Sequence, residues 1–388
     1  MQPSSTINSL PPMKLRPNET SSPVVTGPVG PGLSVGAASP HGEVSAPRAK
    51  IKLGPFEIDH PFILAPMAGI CNSPYRRLMR RMQSSVMISE LISANGMEYA
   101  GERTLSMLKY HDEERLIGFQ IFGEDTERLC GASRHIERTG ADFVDLNLGC
   151  PVPKVVNKGA GSAMCRNPRE LGKTLSAMVK AVKIPVTIKI RTGWDANSRN
   201  AIEVVRAAAD AGVAWVAIHG RTRAQGYSGE ADWDFIGDVK AKSPIPILGN
   251  GDLNTPPIAV ERFRKYGVDA VLIGRGALRN PFIFEESAAI WRGEAYAPPT
   301  LARFQSLLND QRVLLNESFI PRMAMVHARK FLAWYSAGYP GCHEFRKKVF
   351  TIAEPDALWA EAHDFFARSL EGRDMGFLAQ PFLMGGHG

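Results

Sequence analysis

The sequence predicts an α/β fold, a (β/α)8 TIM barrel followed by a small C-terminal all-helical domain. Three observations predict it. Eight short, β-rich apolar runs alternate with helix-length segments, the ends of those runs recur about every 30 residues, and the alternation stops after Pro298 and Pro299, beyond which only helical patterns continue.

The runs are FILAPM, VMISE, LIGFQIF, FVDLNLGC, VTIKIR, WVAIHG, IPILGNG and AVLIGR. Their terminal polar or small residues are Ala65, Glu90, Gln120, Asn147, Lys189, His219, Asn250 and Gly274, spaced by 25, 30, 27, 42, 30, 31 and 24 residues. One strand, one helix and two loops need about 30 residues, and eight such units close a barrel. Between the runs, SPYRRLMRRM, TERLCGASRHIERTG, PRELGKTLSAMVKAV and AIEVVRAAADAG each gather apolar residues on one stripe. Two of them run into Gly140 and Gly212, the residue type that best tolerates the left-handed turn closing a helix. From about Thr300 to Leu370 the patterns are all helical, as in FQSLLNDQRVLL and ALWAEAHDFFARSL.

The expected organisation is therefore an N-terminal tail over 1–48, the barrel over 49–298, a helical domain over 299–371 and a short tail over 372–388. The first tail, rich in Ser, Pro, Gly, Val and Thr and without period, reads as disordered. The last is Gly-rich and reads as loose, with Phe377, Leu378 and Phe382 available to dock on the surface.

With 388 residues and 44% hydrophobic content, the chain can bury a large core. A formal charge of +7 exceeds what solubility requires and points weakly to a polyanionic partner. The five cysteines, Cys71, Cys130, Cys150, Cys165 and Cys342, are scattered without a CxxC pair, so neither a disulfide framework nor a metal site is expected. No apolar run approaches the ~20 residues that span a bilayer, and the start of the chain lacks a basic-then-apolar order. A cytoplasmic, non-membrane protein is expected, as a monomer.

Barrels of this kind carry their active sites at the C-terminal ends of the strands, so the run-ending residues should meet at one mouth. Gln120, Asn147, Lys189, His219 and Asn250 are polar groups placed directly after apolar strands. The last two units carry GNGD (Gly249 to Asp252) and IGRG (Ile273 to Gly276), where glycines let backbone N–H groups approach a phosphate; Asn250, Gly251, Gly274 and Arg275 are the expected contacts. Lys189 suits a buried cation beside the pyrimidine edge of a flavin, or alternatively a Schiff-base lysine. Gln120 suits the donor and acceptor pattern of an isoalloxazine edge, or a core amide. Cys150, held between Gly149 and Pro151, suits a proton donor to a substrate carbon, although a lone cysteine is most often a small buried hydrophobe. After it, Gly159 and Gly161 bracket a loop bearing Lys154 and Lys158 that is expected to close over substrate. Arg221 and Arg223 suit phosphate recognition, or a solvated basic loop. Arg322, Arg329, Lys330, Arg346, Lys347 and Lys348 would make the helical domain a basic lobe beside the mouth.

APMAGI, FQIFG, DLNLGCPVPKVVNKGAGSAM, KIRTGWD, HGRTRAQGYSGEADW, GNGD and IGRGALRNPFIF occur in this order, and together they resemble the tRNA-dihydrouridine synthases, most closely the bacterial B subfamily. The resemblance runs from about Ile51 to Phe366 and includes EFRKKVFTIAE in the helical region. It implies an FMN enzyme, re-reduced by NADPH, that reduces the C5=C6 bond of a tRNA uridine, with position 17 of the D-loop as the subfamily's site. It also implies that Pro66, Met67 and Ala68, together with Gln120, Lys189, Asn250, Gly251, Asp252, Gly274 and Arg275, contact FMN. By the same resemblance His219 shares the flavin and uridine pocket, Asn147 faces the target base, and Cys150 protonates C5 while hydride reaches C6. Cys71, where many relatives carry a polar residue, and the long N-terminal tail depart from the family pattern. Two other readings stay open: an FMN barrel acting on a free pyrimidine, which would need no basic helical domain, and a non-catalytic tRNA-binding flavoprotein.

Overall fold

The computed structural model describes residues 50–99 and 101–370. Both tails, including Phe377, Leu378 and Phe382, lie outside the described residues.

A short antiparallel hairpin, Ile51–Leu53 with Phe56–Ile58, precedes the barrel. The barrel strands are β1 (Phe62–Leu64), β2 (Met87–Ile88), β3 (Ile117–Phe122), β4 (Phe143–Leu148), β5 (Val186–Arg191), β6 (Val216–His219), β7 (Ile247–Asn250) and β8 (Ala270–Ile273). All pairings among them are parallel, in the order β1, β8, β7, β6, β5, β4, β3, β2. The gap between β1 and β2 is spanned without a full ladder. Leu64 N donates to Val86 O at 3.3 Å and Ser85 N to Phe62 O at 3.2 Å. Ser84 Oγ bridges them, accepting from Leu64 N at 2.9 Å and donating to Val86 O at 3.1 Å. The barrel is thereby nearly closed, as the run spacing predicts.

Seven helices cover its outside: α1 (Ser73–Arg81), α2 (Thr126–Arg138), α3 (Pro168–Ala181), α4 (Ala201–Asp210), α5 (Trp233–Lys242), α6 (Pro256–Tyr266) and α7 (Ile283–Arg292). Their starts follow from local chemistry. Asn72, Asp125, Asn167 and Asp232 each accept a backbone N–H of the first turn, and Pro168 and Pro256 occupy first-turn positions where no N–H is needed. Gly140 and Gly212 take φ of +81° and +86° after α2 and α4, the left-handed turn expected of them.

The strands alternate strictly. On β5, Val186, Ile188 and Ile190 point outward into the layer shared with the helices. Thr187, Lys189 and Arg191, one residue out of phase, face inward. Phe143, Trp215, Ala217, Leu248, Ala270 and Leu272 form a second, interior cluster together with Leu53 and Ile58 of the hairpin. The hairpin thus stoppers the N-terminal end of the barrel, with Phe56 edge-on to Trp215 at 6.1 Å between ring centroids.

Four further helices, α8 (Leu301–Ser318), α9 (Pro321–Tyr335), α10 (Cys342–Thr351) and α11 (Pro355–Leu370), occupy the region where only helical patterns remain. Their core is aromatic: Phe304, Phe345, Phe365 and Phe366 pack with centroids as close as 4.1 Å. This layer is fastened to α1. Tyr75 stacks on Phe331 at 5.0 Å, and Arg77 and Arg81 pair across with Glu317 at 2.8 Å and Asp310 at 2.9 Å. Among the described residues, no helix is long and apolar enough to cross a membrane.

Candidate active site at the mouth of the barrel

The inward-facing positions at the C-terminal ends of the strands line a cavity of 290 Å³. Register brings them there. Asn147 stands opposite Lys189, Arg191 opposite His219, and His219 opposite Asn250 on adjacent strands. The cavity gathers Pro66, Met67 and Ala68 from the loop after β1, Gln120, Asn147, Cys150, Lys189 and His219. Asn250, Gly251, Asp252, Gly274 and Arg275 complete it on the side of β7 and β8.

Lys189 carries an ammonium buried in the barrel that donates no hydrogen bond among the described residues. Burial and the neighbouring Arg191 lower its pKa to about 7, against the opposing pull of Asp145. An amine poised near neutrality in this way gains charge beside an anionic ligand edge, and it can donate to a carbonyl-rich one. His219 is held well below its ordinary value by burial, then by Arg191, Lys189 and Arg221, so it is neutral. Arg221 Nη1 lies 3.4 Å from His219 Nε2, and because a guanidinium only donates, Nε2 accepts and the proton rests on Nδ1.

Cys150 is partly buried on the loop after β4, where the side-chain Oδ1 of Asn147 holds the loop by accepting from Gly149 N at 3.2 Å and Cys150 N at 2.9 Å. Burial raises the thiol's pKa, outweighing a Val152 backbone contact and the charge of Arg191. The group therefore stays protonated at neutral pH, as a proton donor must. Cys71, Cys130 and Cys165 are buried in the core.

Around β7 and β8 the chain is shaped by backbone demands. Gly251 sits at φ +125°, and a Cβ there would lie 2.5 Å from Ala231 Cβ and 3.0 Å from His219 Cδ2. At Gly276 a Cβ would come within 2.2 Å of Leu253 O. Asn250 Nδ2 donates to Leu272 O at 2.7 Å, tying the two strand ends together.

Not all of the expected residues converge. Lys158 is exposed and outside the cavity lining. Arg221 is buried, donating to both oxygens of Asp252 at 2.8 and 2.9 Å and to the carbonyl of Ser228. Its fork is thus engaged in bracing the loop after β6, with Asp252 as the brace. Arg223 lies over Trp194 at 4.5 Å, and Arg166 lies over the same ring at 4.7 Å. In the helical region Lys347 and Lys348 pair with Glu344 and Glu361, and Arg329 donates to Ile352 O, whereas Arg322 and Arg346 are exposed.

The cavity also contains groups the strand-end rule passed over. Arg191 donates to the carbonyls of Gly149 at 2.8 Å and Gly226 at 2.7 Å, so it ties the Cys150 loop to the loop after β6. Its signal was present, since it lies two residues beyond Lys189 on the same strand face. Tyr227 sits under Arg275 at 4.9 Å and Arg191 at 5.5 Å, in a loop with no periodicity to reveal it.

A family model described as dihydrouridine synthase matches residues 63–370. A tRNA-dihydrouridine synthase B of Pseudomonas aeruginosa is 38% identical over 82% of the chain and 96% of the relative. One from Xanthomonas axonopodis is 38% identical over 83% and 97%. A probable tRNA-dihydrouridine synthase of Rickettsia conorii is 34% identical over 83% and 98%. Among solved structures, a histamine dehydrogenase from Rhizobium superposes with a TM-score of 0.50 at 11% identity, covering 68% of this chain and 50% of that one, a likeness of fold alone. With its barrel, its mouth cavity and matches of this length, the chain belongs to the dihydrouridine synthase family, in the B-like subfamily.

Proposed function

We propose that this protein reduces the C5=C6 bond of a D-loop uridine in tRNA, with FMN as its bound cofactor and NADPH as reductant. One observation carries the reading: a protonated Cys150, on the loop after β4, lines the same cavity as the buried amine of Lys189 on the neighbouring β5.

FMN would rest between the Pro66–Ala68 loop, Gln120 and Lys189, with its phosphate at the backbone of residues 250–252 and 274–275. When bound, it supplies the hydride that C6 of the uracil receives. The protein's own residues do the rest. Lys189 places positive charge where electron density collects on the reduced ring system. Asn147 offers an amide to the target base. Cys150 gives its thiol proton to C5, breaking S–H and forming C–H, and the thiolate is reprotonated from solvent before the next turnover. The uridine must leave its stack to reach the cavity, and Arg223, Lys158 and the exposed cations of the helical region, Arg322 and Arg346, would hold the surrounding phosphates.

Expression of the chain in cells lacking all dihydrouridine, followed by mapping of dihydrouridine in their tRNA, tests the proposal. Restoration at a D-loop position, with 17 expected from the subfamily, supports it. Unmodified tRNA accompanied by reduction of free uracil or uridine would replace it with a free-pyrimidine enzyme, and tRNA binding without any reduction would leave a binding flavoprotein.

A further inference from the structure

Beneath the cavity runs a chain of hydrogen bonds that all point one way. Asn147 uses its carbonyl oxygen for the backbone N–H groups of Gly149 and Cys150, and its Nδ2 donates to Gln120 Oε1 at 2.8 Å. Gln120 Nε2 in turn donates to Asp145 Oδ2 at 2.7 Å. Asp145 is 1% exposed and ends the chain, its other oxygen accepting from Thr187 Oγ1 at 2.6 Å. Asp145 does not line the cavity, whereas Gln120 and Asn147 do.

A primary amide has a donor end and an acceptor end; burial raises the pKa of Asp145 against the donors Thr187 and Gln120 and the charge of Lys189, and as a carboxylate it admits only donors at the foot of the chain. Each amide above it is therefore turned the same way. Asn147 has spent its carbonyl on the backbone and one N–H on Gln120, which leaves one N–H for a ligand; Gln120 likewise keeps one N–H. A ligand whose carbonyl oxygen meets that wall is accepted, and one presenting an amino group there meets donor against donor. Uracil carries a carbonyl at C4 where cytosine carries an amine.

We propose that Asp145, without touching the substrate, is the positioning residue that makes this site select uracil over cytosine, by fixing the Gln120 amide so that Asn147 presents a donor to the base. The inference rests on the proposed uridine reduction and adds its specificity determinant.

The polarity can be reversed on purpose. Asn147→Asp places carboxylates at both ends of Gln120, so whichever way that amide turns, oxygen faces oxygen at one contact. Adding Asp145→Asn moves the charge from one end of the chain to the other. The new amide at position 145 would donate to Gln120, Gln120 would donate to the new carboxylate at position 147, and Thr187 would keep its acceptor. The full chain loaded with flavin is made as wild type, Asn147→Asp, Asp145→Asn, the double variant and Asp145→Leu. Thermal midpoint and flavin retention are read on each. Affinity without reductant is measured for tRNA transcripts bearing uridine or cytidine at the target position.

The expected result is rescue. The double variant regains thermal midpoint and flavin lost by Asn147→Asp, while its preference for uridine over cytidine narrows by roughly tenfold to a hundredfold, the range one good base contact supplies. Asp145→Leu, where it folds, narrows the preference as well. A double variant less stable than Asn147→Asp alone, or one that keeps the wild-type preference, overturns the inference. Wild-type enzyme that leaves every tRNA uridine unreduced would instead count against the proposed reaction, and the midpoint cycle would still decide the polarity of the chain.

Discussion

The Cys150 thiol sits among cations yet keeps its proton, because burial outweighs the pull of Arg191 on its pKa. The folded value lies above the unfolded one, so the protonated form persists through neutrality and is lost only as pH rises beyond the ordinary thiol range of about 8.5. The Cys150 contribution to the rate of the tRNA-dependent step is accordingly expected to stay level through neutrality and to fall only above about pH 8.5. A rate that instead rose with pH would show that the thiolate is the working form. Cys150→Ala should slow the same step by at least ~100-fold, the usual scale for a general acid, and leave flavin reduction by NADPH unchanged. Lys189 has the opposite sign of linkage. Its folded pKa of about 7 lies below the unfolded value of about 10.4, so the unfolded chain binds more protons between them. Stability of the flavin-free protein should climb as pH rises through that window, and Lys189→Met should flatten the climb in thermal midpoints measured against pH.

At the scale of the element, the strand ends were legible because a strand alternates with period two: once the apolar positions of β5 are placed outward, Lys189 has only the interior left. The short β2 was harder to read. VMISE looks like one strand, yet only Met87–Ile88 pair there, and Ile92–Ser93 then joins β3 separately. Ser84 and Ser85 take over the missing ladder bonds, and no apolar pattern announces a serine used as backbone. Arg221 shows the other limit. Its type and position suited a phosphate, but Asp252, thirty-one residues later, turns it into a brace, and such long-range pairing leaves no periodic trace. The glycines of GNGD and IGRG leave room for a phosphate to approach the backbone. At Gly276 the demand is also steric, so Gly276→Ala should displace the loop carrying Leu253. It is expected to cost the few kcal/mol typical of overpacking, with flavin occupancy falling alongside the thermal midpoint.

Across the whole molecule, the join between barrel and helices is mostly apolar, with the ion pairs at its edge. Phe331→Ala should remove the stack on Tyr75 and destabilise by about 3–5 kcal/mol in denaturant unfolding, whereas Glu317→Gln, at a half-exposed pair, should cost less than about 1 kcal/mol. The formal +7 charge was a weak clue to a polyanion, because a net charge does not say which cations are free to meet one. Arg329, Lys347 and Lys348 of the expected basic lobe are engaged within the protein itself.

The hairpin at the foot of the barrel has a kinetic consequence. Leu53 and Ile58, packed with Phe143 and Trp215, seal the end opposite the cavity, so among the described residues whatever visits the cavity arrives and departs at the mouth. A nicotinamide donor and a tRNA would need that opening in turn. The oxidised donor would leave before the nucleic acid arrives, which predicts parallel lines in double-reciprocal plots with both substrates varied, and inhibition of each half-reaction by excess of the other's partner.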